Sequence, residues 1–437
     1  MTALLYLVGV LIFVVGLAAS VGLHELGHLI PGKLYNVKVT QYFVGFGRTI
    51  WSRRKGETEY GVKAIPLGGY VKLVGMIEPG EGEDETRVRS RNTGMFAQLV
   101  ADARSAEYEH VGPHDHHRLF YKLPWWKKIV VMGSGVATNL VIAFLLFAVV
   151  FMGYGVDTPT QTVSQVSACV KVVETGTDPG DCTAKDPESP AKKAGLLPGD
   201  RIVAFNGTRI SDYDELQTLI RGNDAGAATL VVERDGKTLT LHTSTTVTDL
   251  PSLEDADASV KAGFLGITPA QVRERQGLGY TVDTMASGTW ETLKAIGSLP
   301  PKVYHVARAA VGLEKRDPNG PQSVVGAGRV AGEIASHDGV SAMERLTSIL
   351  LILASLNLFL GLLNLVPLPP FDGGQIATTV VEAVRRGIAR VRGRPDPGGI
   401  DAAKLLPLTY AMAAVILVVS VILIYADVVV PIHLPSN

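Results

Sequence analysis

Five residues, His24-Glu25-Leu26-Gly27-His28, stand inside an apolar run and constrain this chain more than any other feature. No charged side chain occurs from Met1 to Leu23, and apolar Leu29-Ile30 follow the motif before Pro31-Gly32. Such a stretch is predicted to cross a bilayer as a helix, because in lipid a helix satisfies its own backbone groups. On a helix, His24 and His28 share a face, so both imidazoles can reach one metal ion. Glu25 lies beside them, placed to handle the proton of an activated water. Ionisable residues in a span are costly and mark function. The motif therefore predicts a zinc hydrolase whose site is in, or at the edge of, the membrane.

Composition agrees. The 437 residues are 46% hydrophobic and 19% charged, apolar for a wholly soluble protein. The formal net charge of -1 gives no global basic field, so no nucleic-acid partner is expected. Four stretches are long and apolar enough to span: about Leu4 to Ile30, Ile129 to Tyr154, Leu346 to Pro369 and Leu406 to Tyr425. The first lacks a basic start and an Ala-x-Ala cleavage site, so it is read as a retained span and not a signal peptide. Lys33 and Lys38 follow span one, Lys122, Lys127 and Lys128 precede span two, and Arg385, Arg386, Arg390, Arg392 and Arg394 lie between spans three and four. By the positive-inside rule, residues 31–128 and 370–405 are predicted to be cytoplasmic, with both termini and residues 155–345 outside. The expected location is the inner or plasma membrane, with the active site near its cytoplasmic side. Cys169 and Cys182 both fall in the outer segment, where a disulfide can persist; two free thiols are the alternative.

After span one, runs such as Tyr42-Phe43-Val44, Glu59-Tyr60-Gly61-Val62 and Gly69-Tyr70-Val71-Lys72-Leu73 are punctuated by Gly and Pro and read as β-hairpins. Glu78 to Glu109 reads as a flexible polar loop. His110, His114, His116 and His117 form a cluster whose spacing fits no rigid metal site, so an exposed loop is expected. Farther on, Ser189-Pro190-Ala191 and Ala194-Gly195-Leu196-Leu197-Pro198-Gly199-Asp200-Arg201-Ile202-Val203-Ala204-Phe205-Asn206-Gly207 look like one PDZ domain. Such domains pair an extended peptide with a sheet edge; a cap that binds nothing is the alternative.

The predicted fold class is a polytopic α-helical membrane protein of about four transmembrane helices, with a cytoplasmic membrane-associated β-hairpin region and an extracytoplasmic PDZ domain. The boundaries run as span one with the motif (1–30), β-hairpin region and flexible loop (31–128), span two (129–154), PDZ domain (155–270) and an outer linker with amphipathic helices (271–345). Span three with the Asp-Gly motif (346–374), a cytoplasmic basic loop (375–405) and span four (406–430) complete the chain.

A catalytic zinc takes three protein ligands and keeps a position open. Asp372, the first charge after span three, in Asn364-Leu365-Val366-Pro367-Leu368-Pro369-Pro370-Phe371-Asp372-Gly373-Gly374, is the candidate third ligand. These motifs, with Gly68-Gly69-Tyr70-Val71-Lys72, Gly135-x-x-x-Asn139 and the PDZ-like run, resemble the site-2 protease family of intramembrane zinc metalloproteases. The resemblance covers nearly the whole chain and is to the bacterial, RseP-like branch; a single PDZ domain is similar to actinobacterial members. Val136 stands where the family commonly has Pro, and Phe371 where it has Leu; both keep apolar character. The resemblance implies that His24, His28 and Asp372 bind Zn2+, that Glu25 is the general base, and that Asn364 and Asn139 contact substrate backbone or help shape the site. It also implies substrates that are single-span regulators, such as anti-sigma factors, cut within the bilayer. The strand edge around Gly69 and Tyr70 is expected to hold the unwound substrate. A zinc-binding transporter or scaffold would not require Glu25 and would usually show internal repeats; a PDZ adaptor would leave the motif and Asp372 unexplained.

Overall fold

The computed structural model describes residues 2–77, 111–112, 115–170, 182, 186–253, 259–337, 339–400 and 402–433. The expected loop at 78–109, His110 and His114 lie outside the described residues. The chain divides into two compact units, one of residues 1–154 with 277–437 and one of residues 155–276.

The first unit is built on eight helices among the described residues. They are α1 (Thr2–Leu34), α2 (Trp125–Ala148), α3 (Leu278–Gly297), α4 (Leu299–Ala310), α5 (Val324–Ser336), α6 (Ala342–Asn364), α7 (Asp372–Val391) and α8 (Leu406–Val429). Four helical segments are long and apolar enough to cross a membrane: Thr2–Leu34, Trp125–Tyr154, Ala342–Asn364 and Ala402–Val429. Phe13 and Leu17 of α1 pack with Ala331 and Ala335 of α5 and Ile349 and Leu353 of α6. Ser20 Oγ accepts from Asn357 Nδ2 at 2.9 Å, a buried polar link between α1 and α6. Helix α6 begins with a capping box, Ser341 and Glu344 satisfying each other's backbone N–H groups.

Three expectations change here. Span three does not run on to residue 374: α6 stops at Asn364, and Asp372 opens a separate helix. Pro367, Pro369 and Pro370 explain the break, because proline cannot donate to a helical ladder and restricts the residue before it. Residues 375–391 are helical where a basic loop was expected; α7 packs on α2, with Lys128 Nζ 3.4 Å from Glu382 Oε2. The several short hairpins are one long pair, β1 (Val39–Lys55) and β2 (Thr58–Leu73). These strands curl so that Val44 pairs with both Gly69 and Val62, and residues 69–73 form an edge.

In the second unit, a sheet runs in the order β10-β3-β4-β6-β7, with β5 joined to β4. Its strands are β3 (Val156–Val166), β4 (Arg201–Phe205), β5 (Thr208–Arg209), β6 (Ala227–Arg234), β7 (Lys237–Ser244) and β10 (Ile267–Glu274); β8 (Thr246–Pro251) and β9 (Ser259–Phe264) form a separate hairpin. Because β10 pairs with β3 out to Glu274, the expected boundary at 270 falls inside a strand. The Asn206-Gly207 turn has positive φ at both residues, as a tight hairpin requires. Helix Tyr213–Gly222 is capped by Asp212, whose side chain accepts from the Glu215 N–H, and buries Leu216 and Ile220 against Ile202, Phe205, Leu230, Val232 and Leu265. Cys169 and Cys182 are joined as a disulfide, which settles the two alternatives for these residues.

Candidate metal centre

The His24 and His28 Nε2 atoms lie 3.2 Å apart, and each is 3.3 Å from Asp372 Oδ2. Among the described residues, no other group of three or more His, Cys, Asp or Glu side chains converges in this way. The helical spacing of α1 supplies the two imidazoles, and the first turn of α7 supplies the carboxylate. Close packing is possible because glycine faces each element. A Cβ on Gly135 of α2 would collide with His28 Nε2, and one on Gly373 with the Leu365 carbonyl.

A hydrogen bond fixes the His28 ring, while His24 Nδ1 is buried without a partner in the protein. His28 Nδ1 lies 2.8 Å from the Val131 carbonyl, so it donates there and leaves the Nε2 lone pair directed at Asp372. Ser134 Oγ lies 2.7 Å from the Gly27 carbonyl and 2.9 Å from the Val131 carbonyl, which share its one proton, tying α2 to α1 at the motif. The three atoms His24 Nε2, His28 Nε2 and Asp372 Oδ2 fit a zinc ion by chemistry: two neutral nitrogen donors and one carboxylate oxygen. Asp372 Oδ2 is buried and makes no hydrogen bond in the protein. A buried carboxylate oxygen facing two imidazole lone pairs is a repulsive arrangement unless a cation or proton lies between them.

Glu25 stands beside this group. The Val71 N–H on strand β2 hydrogen-bonds to its carboxylate. A Cβ at Gly69 would lie 2.9 Å from Glu25 Cγ, so the backbone of the edge 69–73 passes against the motif. Tyr70 itself stacks on Phe43, ring centroids 5.6 Å apart, with the Lys63 ammonium 5.0 Å from its ring centre. The strand thus brings its backbone, and not the Tyr70 ring, to Glu25.

Asn139 is buried on α2 beside Gly361 of α6, its Oδ1 without a hydrogen-bond partner in the protein. Asn364 is the last residue of α6 and is partly exposed. Neither shares in the His24, His28 and Asp372 convergence. His116 and His117 lie apart from it on the turn His116–Arg118, which is held by Arg118 pairing with Glu57 at 2.6 Å. Sequence reasoning missed Asn357, Ser134 and the Lys128–Glu382 pair. A lone Asn or Ser within an apolar span was the available signal for the first two.

Four apolar spans, with imidazoles, a carboxylate and a glutamate gathered where the spans α1 and α2 meet the first turn of α7, define a membrane-embedded metallohydrolase. The chain belongs to peptidase family M50, which it matches over residues 12–395. It is 32% identical to the zinc metalloprotease Rip1 of Mycobacterium tuberculosis over 442 residues, covering 99% of this chain and 100% of Rip1. It is also similar to Rip1 of Mycolicibacterium smegmatis, at 31% over 98% of both chains, and to metalloprotease MmpA of Caulobacter vibrioides, at 26% over 86% of both. It is a zinc metalloendopeptidase of the site-2 protease type, embedded in a membrane.

Proposed function

We propose that this chain cuts the transmembrane segments of single-span regulatory proteins, anti-sigma factors being the expected kind, in regulated intramembrane proteolysis. The observation that carries this reading is the meeting of His24, His28 and Asp372 beside Glu25, with the strand edge 69–73 running along it. In this reading His24, His28 and Asp372 are the metal ligands. Zinc held there supplies the Lewis acidity that makes water a nucleophile near neutral pH.

Glu25 takes a proton from the attacking water and returns it to the nitrogen as the peptide C–N bond breaks. The Val71 N–H keeps the Glu25 carboxylate oriented for both transfers. A helical substrate hides its amides in its own hydrogen bonds, so it must unwind first; Gly69 and Tyr70 offer it the edge of β2 as a pairing partner. Asn139 and Asn364 are assigned to the substrate's freed backbone. Residues 155–276 are read as a PDZ domain, with a groove between helix Tyr213–Gly222 and the Gly263 to Ile267 segment. The distribution of basic residues puts this domain and both termini outside, and the metal centre toward the cytoplasmic side.

The test is Glu25→Gln, assayed on a co-expressed single-span candidate substrate. Zinc content should hold while turnover falls by about 10²- to 10⁴-fold, the contribution of a positioned proton carrier. Asp372→Ala should lose zinc as well. Persistent cleavage by Glu25→Gln, or unchanged zinc affinity in Asp372→Ala, would overturn the assignment.

A further inference from the structure

Helix α7 is turned opposite to a helix on a water-exposed surface. Its protein-facing side carries Thr379, Glu382 and Ala389, all buried. Glu382 is only 6% exposed, whereas Val380, Val381, Val384 and Ile388 are 42%, 49%, 54% and 47% exposed. At about 100° per residue, those four and exposed Val391 fall within one arc of about 100°. Water does not favour a helix that packs a carboxylate inward and branched apolar side chains outward.

The rim of the arc is cationic. Arg385 and Arg392, the latter just past the end of the helix, border it on one side, while Arg390 lies about 80° beyond its other edge; all three are exposed. Arg386 is engaged elsewhere, 3.1 Å from Glu382 and 3.4 Å from Asp396. An apolar stripe flanked by arginines suits the boundary between acyl chains and headgroups, the aliphatic stems lying in lipid and the guanidinium groups reaching phosphate. The helix follows the span α6 after a short turn and packs on the span α2, so it stays near the bilayer.

We propose that α7 is an interfacial helix that binds anionic lipid: Val380, Val381, Val384, Ile388 and Val391 enter the acyl region, and Arg385, Arg390 and Arg392 take lipid phosphates. Because Asp372 is the first residue of this helix, headgroups bound along it steady the carboxylate at the metal centre. Charge complementarity selects anionic lipid, since two arginines border the stripe, a third projects from the same end of the helix, and the apolar centre suits acyl chains better than a hydrated acidic partner.

The full-length protein is reconstituted in phosphatidylcholine vesicles and in vesicles containing one-third phosphatidylglycerol. Amide exchange over 376–391 and the rate of zinc loss to a chelator are then measured. Both should slow several-fold with phosphatidylglycerol, and the difference should shrink with added salt and vanish in the R385Q/R390Q/R392Q triple variant. Equal exchange of the wild type in both compositions would overturn lipid binding, leaving the arginines as determinants of orientation alone. Slowed exchange with unchanged zinc loss would overturn the link to Asp372. Protection that depends on protein concentration and not on lipid would mean that a second copy covers the face, and also overturns the proposal. The wild-type salt series carries the test if the triple variant fails to insert.

Discussion

Gly135 shows how narrowly the centre is built at the scale of one residue. It sits in α2 with ordinary helical geometry, so alanine there would by propensity favour the helix by about 1 kcal/mol. Its Cβ, however, would occupy the space of His28 Nε2. Gly135→Ala is therefore expected to displace the imidazole, lower zinc content and abolish turnover while the protein remains helical and inserted. Normal zinc stoichiometry in that variant would show that the site can yield. His24, Glu25, His28 and Asp372 were legible from sequence because ionisable residues beside apolar runs are conspicuous. Gly135 was visible as part of a motif, but its reason was not, since a glycine's neighbour across a helix contact is a tertiary fact. Asn357 escaped notice because one amide amid leucines changes neither length nor hydropathy of the span.

At the scale of elements, the edge 69–73 and helix α7 support the centre from two directions. Val71→Pro removes the N–H that meets Glu25 and blocks pairing on that edge; turnover should drop at least tenfold with zinc content intact. Normal turnover would mean that the strand is merely structural. Lys128→Met leaves the buried Glu382 carboxylate with Arg386 as its remaining partner and should destabilise the α2–α7 contact by about 1–3 kcal/mol, short of the cost of a fully stranded charge, whereas Lys128→Met with Glu382→Leu should recover most of it. Thermal unfolding of the two variants decides the point. Neither the long curl of β1 and β2 nor α7 was read correctly from sequence. Gly and Pro suggested separate hairpins, while the pairing of Val44 with both Val62 and Gly69 joins residues that local pattern does not link. Arg385, Arg386 and Arg390 of α7, with Arg392 and Arg394 beyond its end, have the composition of a basic loop; the helical spacing of Val380, Val381 and Val384 is the contrary signal.

At the scale of the whole molecule, the four apolar spans were legible because length and hydropathy are properties of the chain alone. The limits of the 155–276 unit were not, because the β3–β10 pairing that sets them joins distant residues. That unit should respond to acid through Asp200. Burial disfavours its charge, but Arg234, at 2.6 and 2.7 Å, and the Leu197 N–H, at 2.9 Å, outweigh burial and hold its pKa below the ordinary carboxylate value. A depressed pKa adds stability at higher pH that is lost as pH falls through the folded value. Protection factors within 155–276, exchange taken relative to the intrinsic rate at each pH, should therefore fall below about pH 4, the usual aspartate range. In Asp200→Asn protection should be low already at neutral pH and vary little across that range; an unchanged acid response would exclude this pair as its cause.

The residues of the metal centre come from opposite ends of the chain, His24 and His28 near its start and Asp372 near its finish. During synthesis α1 enters the membrane long before α7 exists, so a chain extended no farther than α6 holds two of the three groups. On the proposed ligand assignment such a copy would be silent, and proteolytic capacity would arrive only once the start of α7 has docked against α1.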